Sequence, residues 1–196
     1  ALSTLGRWGA VERADEIACL LTDPVYWVRE RALDVLRNLR GREAIPRVRS
    51  LLGDPAAGLR ADAVGLLADL AGADALPWVA GLLRDPDRGV RFRALQVVGR
   101  FGAKDYLPEL TPLVDDPDPG VVVAALRAIR SVGHSLEPSD LARLFRAPHS
   151  EVRSLASEFL VAAEARDEAA GLLDLLESED ERVRSDVLVV VGGGRW

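Results

Sequence analysis

Apolar and polar positions repeat along the chain with a period of 31 residues, and each period contains two helix-like patterns. In the period spanning residues 43–72, Ile45, Val48 and Leu51 have the spacing of one helix face. After Asp54-Pro55 a second apolar face follows, formed by Leu59, Ala63, Leu66, Leu67 and Leu70. The pattern therefore predicts two amphipathic helices per repeat.

The same turn residues separate the helices in successive repeats. Asp-Pro stands at 23–24, 54–55, 85–86 and 116–117, and the same step then reaches Ala147-Pro148 and Ser178-Glu179. Aspartate is a preferred N-cap and proline fits the first helical position. We therefore expect Asp54 to cap the second helix of its repeat and Gly72 to close it.

Further columns of equivalent residues keep this register through the chain. An apolar column comprises Val28, Leu59, Val90, Val121, Val152 and Val183. A column of small residues comprises Ala32, Ala63, Ala94, Ala125 and Ala156. Neither helix of a repeat buries its apolar face alone, so neighbouring pairs must stack. The pattern predicts an all-α fold, an α-solenoid of stacked antiparallel helix pairs, as a single domain over residues 1–196 with about six repeats.

The motif D-P-x-x-x-[VL]-R-x-x-A-x-x-x-L, followed by a proline-containing partner helix, resembles the HEAT repeat. The 31-residue period most resembles the subclass named after phycobilisome lyases. The resemblance covers essentially the whole chain and implies a HEAT-like superhelix. It implies little about function, because this repeat serves adaptors, scaffolds and a few enzymes.

The ends of the chain lack the polar capping repeats that solenoids need. Ala1 falls in the column of Ala32, so the sequence starts halfway through a second helix, and Gly192–Gly194 weaken the last one. Three interpretations stay open: a fragment of a longer array, ends covered by a partner, or a trimmed terminus.

An arginine follows the apolar column in most repeats, and Val122 is the exception in the fourth. The arginines are either a row of cations for an acidic ligand or the Asp–Arg ladder of HEAT-like arrays, which this pattern resembles. Pairing with the aspartate of the next repeat would join Arg29 to Asp54, Arg60 to Asp85 and Arg91 to Asp116. The next pair would be 122 with 147, and both members are lost together, as Val122 and Ala147. This joint loss favours the ladder.

The outward positions of the second helices form the candidate binding surface. If positions 28, 32, 35, 36 and 39 face the core, then 26, 27, 30, 31, 34 and 38 lie on the opposite face. In the arrays that this chain resembles, that face is concave. Here it carries aromatic and arginine residues, typical of interface hot spots, beside a bare column of Gly58, Gly89 and Gly120. The residues that we expect to bind a partner are Tyr26, Trp27, Arg31, Phe92, Arg93, Gln96, Arg100 and Arg127. The alternative is a solvated face whose aromatics pack on neighbouring loops.

Composition narrows the class of partner. The chain is 48% hydrophobic and carries a net charge of −6, which argues against a general nucleic-acid binder. Basic residues on the outward face favour a protein or peptide partner, acidic or phosphate-bearing. Cys19 is the one cysteine, no leader is recognisable, and no stretch approaches the roughly 20 apolar residues of a membrane span. We expect a cytoplasmic protein without a membrane contact, and its oligomeric state stays open.

The sequence offers no recognisable catalytic constellation. Two histidines and one cysteine do not form a zinc-site pattern, and we predict no metal, no cofactor and no catalytic residue. The HEAT-like deoxyhypusine hydroxylases hold iron with His-Glu pairs, which this sequence lacks.

HEAT-like DNA glycosylases acting on alkylated bases are an alternative, because Trp27, Asp34, Arg93 and Arg127 supply similar residue types. Their surfaces are strongly basic, however, whereas Asp62, Asp69 and Glu158 share this face. A bilin-lyase-like or lyase-chaperone role rests on the repeat subclass alone. We expect a non-enzymatic protein-binding scaffold or adaptor.

Overall fold

The computed structural model describes residues 14–39, 42–102, 104–163 and 181–193, and every regular element in these ranges is helical. The predicted all-α solenoid class is therefore confirmed. The chain divides into two compact units, Ala1–Ala103 and Lys104–Trp196, which we describe separately. The single domain of six repeats stays a prediction. The expected start at Ala1, the decayed turn Ser178-Glu179 and the glycine at position 194 lie outside the described residues.

Unit 1 consists of short first helices alternating with long second helices. The elements are α1 (Ala14–Cys19), α2 (Tyr26–Leu39), α3 (Ile45–Ser50), α4 (Ala57–Ala71), α5 (Leu76–Val79) and α6 (Arg88–Phe101). Each first helix tightens into a 3₁₀ turn before the Asp-Pro dipeptide: Leu20–Thr22, Leu51–Gly53 and Ala80–Arg84. The central second helix, α4, packs against both α2 and α6.

Unit 2 repeats the same arrangement. Its elements are α7 (Leu107–Leu110), α8 (Pro119–Ser131), α9 (Pro138–Phe145), α10 (Ser150–Ala163) and α11 (Glu181–Gly193). Helix α10 packs against α8, α9 and α11. The second helices begin at Pro119, Ser150 and Glu181, at the 31-residue period of the sequence.

The predicted columns form the core in both units. Leu59, Val90, Val121, Val152 and Val183 are buried and Val28 is half-buried, while every alanine of the small-residue column is buried. Gly72 follows α4 with a φ of 62°, which favours glycine, so the expected helix end is confirmed.

The expected cap at Asp54 is wrong. Helix α4 begins at Ala57 with Ala56 at its N-cap, and Pro55 lies in the preceding turn. The Asp54 carboxylate instead accepts the Ala56 N–H at 2.8 Å, closing an Asx turn, and pairs with an arginine. The side-chain caps of α6 and α8 are Asp87 and Asp118, two residues after each Asp-Pro aspartate.

The Asp–Arg ladder is confirmed in unit 1. Arg29 donates to Asp54 through Nε at 2.7 Å and Nη2 at 3.0 Å. Arg60 makes the same bidentate pair with Asp85 at 2.8 and 2.7 Å. The side chains of Arg29 and Asp54 are 11% and 5% exposed, so the first pair is nearly dry. Each arginine therefore joins its own second helix to the Asp-Pro turn of the next repeat. The pair of Arg91 with Asp116 has its members in different units and stays a prediction.

The ladder continues in unit 2 through a different aspartate. Arg153 donates through Nε to Oδ2 of Asp186 on α11 at 2.5 Å. Asp186 lies 33 residues after Arg153 along the chain, rather than the 25 that separate Arg29 from Asp54. The carboxylate of Asp186, on helix α11, thus takes the role of the Asp-Pro aspartate. The sequence has Ser178 at the position of that aspartate.

The carboxylate of the second ladder pair, Asp85, makes the free energy of unfolding depend on pH. Burial by itself raises the pKa of Asp85, but hydrogen bonds from Arg60 and the Asp87 N–H, with the charges of Arg60 and Arg91, hold it below its ordinary value of 3.8. A depressed carboxyl pKa in the folded state contributes stability that is present above the unfolded pKa. That stability is lost as the pH falls through the folded pKa.

We expect Asp85→Asn to be less stable than the parent protein at neutral pH, with the difference shrinking below about pH 5. Asparagine keeps an oxygen for the Asp87 N–H but forms no ion pair with Arg60. Urea midpoints measured from pH 7 down to pH 3 check this. A difference that stays constant over that range would contradict it.

One stretch meets the length and composition of a membrane-crossing helix, contrary to the sequence expectation. Ala57–Arg84 has an 18-residue window of mean hydropathy 1.4, half of which is buried within the protein. The stretch comprises α4, α5 and two 3₁₀ turns, and Gly72 interrupts it. One such helix is weak evidence, because a buried core helix passes the same test.

Candidate interaction surface

The outward residues of α2, α4 and α6 form one surface of unit 1, which we call the second-helix face. Among described large apolar residues, Trp27 is 63% exposed, Tyr26 44% and Phe92 39%. Tyr26 and Trp27 stand on α2, Phe92 stands on α6, and α4 packs against both helices. The predicted outward orientation of these aromatics is confirmed by their exposure, whereas their role in binding stays a prediction.

Tyr26 is held in place within this face. Its hydroxyl donates to Oε1 of Glu30, one turn along α2, at 2.9 Å. That hydrogen bond raises the pKa of Tyr26 above its ordinary value of 10.0. The hydroxyl oxygen lies 3.9 Å from where a Cβ on Gly58 would stand, so Tyr26 leans towards α4. Trp27 makes no hydrogen bond among those described and is the more exposed ring.

The guanidinium of Arg93 lies close to the backbone of the preceding second helix at Gly65. A Cβ on Gly65 of α4 would approach its Nε at 2.9 Å and its Cζ at 3.0 Å, closer than normal contacts. Arg93 Nη1 also donates to Oε1 of Gln96 at 3.0 Å. The glycine thus makes room for the guanidinium, and Gln96 orients it without neutralising its charge.

The bare glycine column has a partly local explanation. A Cβ on Gly89 would lie 3.1 Å from Oδ1 of Asp87, and one on Gly120 would lie 3.0 Å from Oδ1 of Asp118. Both carboxylates cap their helices through these glycines. Capping therefore accounts for two of the three glycines in the bare column of the candidate binding surface.

The other predicted arginines have acidic neighbours. Arg31 lies 3.6 Å from Asp34, and Arg100 lies 3.2 Å from Asp69 on α4. In unit 2, Arg127 lies 2.9 Å from Glu151 of α10. These pairs are largely exposed and each contributes about 0–1 kcal/mol, so a competing anion can displace the carboxylate.

The structure does not bring all predicted site residues together. Tyr26, Trp27 and Arg31 share α2, while Phe92, Arg93, Gln96 and Arg100 share α6. Arg127 belongs to α8 of unit 2. In that unit, several positions that the helical pattern predicts to face outward are buried. Val123, Ala124 and Leu155 are buried there, although they occupy the columns of Glu30 and Arg31 that we expected to face outward.

A polar cleft on the second-helix face was not predicted. Its volume is about 690 Å³, and its lining comprises Arg37, Asn38, Leu66, Asp69, Leu70 and Arg100. Asn38, Asp69 and Arg100 occupy one column of the repeat, 31 residues apart, and this was the available sequence signal. In the described part of the chain no group of three or more histidine, cysteine or acidic side chains could hold a metal ion.

The chain belongs to the family of HEAT repeats, whose model matches residues 14–91 and 77–160. No curated protein matches the sequence significantly. The structure of CpcE and CpcF of phycocyanin lyase from Nostoc sp. PCC7120 is similar, with 21% identity and a TM-score of 0.61 over 91% of this chain and 76% of that one. These values identify a shared fold.

Two further solved structures have the same architecture. A designed armadillo repeat protein in complex with the peptide (KR)4 is 18% identical, with a TM-score of 0.60 over 90% of this chain and 97% of that one. Human deoxyhypusine hydroxylase is 23% identical, with a TM-score of 0.53 over 97% of this chain and 76% of that one. At these identities the likeness concerns the fold alone.

Proposed function

We propose that this chain is a non-enzymatic scaffold that binds an extended segment of a partner protein on the second-helix face of unit 1. The observation that carries the proposal is the exposure of Trp27 and Phe92 on two helices that both pack against α4. Large aromatic side chains left in water are typical of interfaces, because covering them contributes most of the binding energy there.

The charge of this face favours an acidic or phosphate-bearing segment. Arg93 is exposed, and its described side-chain partner, Gln96, is uncharged. Arg31 and Arg100 have exposed acidic partners that a bound carboxylate or phosphate can replace at small cost. Arginine is also the residue best suited to bidentate contacts with such groups.

The similar structures support binding of a protein or peptide. The designed armadillo repeat protein holds a peptide, and CpcE of phycocyanin lyase is seen in a complex with CpcF. The peptide in the designed protein is basic. It therefore supports binding of a peptide by this fold, but not the acidic character that we propose for the partner of this chain.

The double variant Trp27→Ala with Phe92→Ala is expected to bind its partner at least about 30-fold more weakly, because two hot-spot side chains are truncated. The ligands are peptides selected on the parent protein from a random library, and fluorescence anisotropy measures their affinities. The melting temperature should change little, because both side chains are exposed.

Arg93→Ala, with Arg84→Ala as the control, tests the charge. Arg84 is exposed and lies in the 3₁₀ turn after α5, so its loss removes one charge away from the second helices. Arg93→Ala should weaken acidic peptides and Arg84→Ala should not. Unfolding of the aromatic double variant, unchanged affinity for every selected peptide, or binding of short duplex DNA in place of peptides would each refute the proposal.

A further inference from the structure

Unit 2 contains a cavity at the position where the Asp–Arg ladder is interrupted. Its volume is about 280 Å³, and its walls include Asp116, Pro117, Val122, Ala147, His149 and Val152. The two residues that break the ladder, Val122 and Ala147, therefore face the same space. The other repeats show what normally occupies the equivalent position.

In four repeats the arginine Nη1 donates to both backbone carbonyls of its own turn dipeptide. Arg29 reaches Asp23 O and Pro24 O at 2.9 and 3.2 Å, and Arg60 reaches Asp54 O and Pro55 O at 2.8 and 3.3 Å. Arg91 and Arg153 make the equivalent pairs at 2.9 and 3.0 Å and at 2.8 and 3.1 Å. The turn is therefore a recurring acceptor site for a guanidinium group.

In the fourth repeat the turn dipeptide Asp116-Pro117 is retained, but the arginine is replaced by Val122. A hydrocarbon side chain donates no hydrogen bond to these carbonyls. The carboxylate side of the ladder is missing as well, because Ala147 offers no oxygen to the His149 N–H, whereas Asp54 accepts the equivalent Ala56 N–H. The cavity thus lies where the ladder of the other repeats has a guanidinium and its carboxylate.

We propose that this cavity binds the guanidinium group of an arginine side chain supplied by a partner protein. The retained turn offers carbonyl acceptors of the kind that hold four arginines elsewhere in the described part of the chain. Val122, Val152, Leu144 and Pro119 provide apolar walls for the aliphatic stem of the guest. An anionic guest is disfavoured, because the lining contributes two aspartates, Asp115 and Asp116, against one arginine, Arg143.

Arginine is favoured over lysine by geometry. The planar guanidinium presents donors in a fixed fork and reaches two adjacent carbonyls from one nitrogen, as Arg60 does. A lysine ammonium is compact and strongly hydrated, so it loses more on entering a half-apolar cavity. The site is separate from the second-helix face of unit 1 and does not rest on the proposed function.

The test is an amide-shift titration of the isotope-labelled protein with N-acetyl-arginine amide, N-acetyl-lysine amide and methylguanidinium at constant ionic strength. We expect saturable shifts at Val122 and His149, with the arginine derivative half-saturating at least about fivefold below the lysine one. Equal responses to the arginine and lysine derivatives would overturn the proposal. If methylguanidinium binds and N-acetyl-arginine amide does not, the cavity is a small-molecule site, and this result would also overturn the proposal.

Variants of the cavity provide a second readout. Val122→Arg with Ala147→Asp rebuilds the ladder pair, so it should raise the melting temperature and abolish the shifts. Val122→Met is the matched control, since it adds length without donors and should raise the melting temperature less. Undiminished shifts in a folded double variant would overturn the proposal. If the double variant does not fold, the ratio of the half-saturating concentrations of the arginine and lysine derivatives on the parent protein decides whether the proposal holds.

Discussion

Replacing Asp54 by alanine is expected to lower the free energy of unfolding by about 3–5 kcal/mol, because it leaves the buried charge of Arg29 without its carboxylate. Two charge-assisted hydrogen bonds are lost in a nearly dry environment, and the Asx turn at Ala56 loses its acceptor. Urea unfolding followed by circular dichroism measures the effect.

The chain provides a matched control in Asp23. It makes the same turn contact, from the Val25 N–H at 2.8 Å, but no ion pair in the described part of the chain. Asp23→Ala should therefore cost only about 1 kcal/mol. Replacing both partners by apolar residues, as in Arg29→Met with Asp54→Leu, should come close to the parent stability. Equal losses for Asp23→Ala and Asp54→Ala would show that the turn, and not the ion pair, matters.

Replacing Phe145 by alanine is expected to lower the free energy of unfolding by about 3–5 kcal/mol, because Phe145 is fully buried at the end of α9. The equivalent positions hold Leu21, Leu83 and Val114, which are buried, and Leu52, which is half-buried. Phe145→Leu, which adopts the residue of other repeats, should therefore lose much less than Phe145→Ala. The same denaturation experiment compares them. A leucine variant as unstable as the alanine variant would mean that neighbouring repeats do not tolerate the same side chain.

Much of this fold follows from local periodicity. The second helices begin at Tyr26, Ala57 and Arg88 in unit 1 with the spacing of the sequence repeat. The ladder was predictable because its partners stand at a constant separation and are lost together. The capping aspartates were missed because we expected the Asp-Pro aspartate Asp54 to be the cap, whereas its carboxylate is occupied by the turn and by Arg29. Asp87 and Asp118 were the better candidates, being the last polar residues before their helices.

The candidate site was less predictable from sequence. Helical geometry correctly placed Trp27 and Phe92 in solvent, since a buried stripe defines its opposite face. It did not foresee that Arg93 lies on Gly65 or that Arg100 pairs with Asp69, because these contacts depend on how adjacent helices are offset. The pairing of Arg153 with Asp186 and the cavity beside Val122 likewise depend on tertiary packing.

The ladder also bears on how an array of this kind changes length during evolution. Each regular repeat presents an aspartate to the repeat before it and an arginine to the repeat after it, as residues 54–84 do with Asp54 and Arg60. A tandem duplication of such a segment therefore meets its own complement at both junctions, and no buried charge is left over. Insertions of other lengths would break this match. Where the sequence holds Val122 and Ala147, the junction imposes no charge requirement, so a repeat of unrelated sequence can be gained or lost there without leaving an unpaired ion.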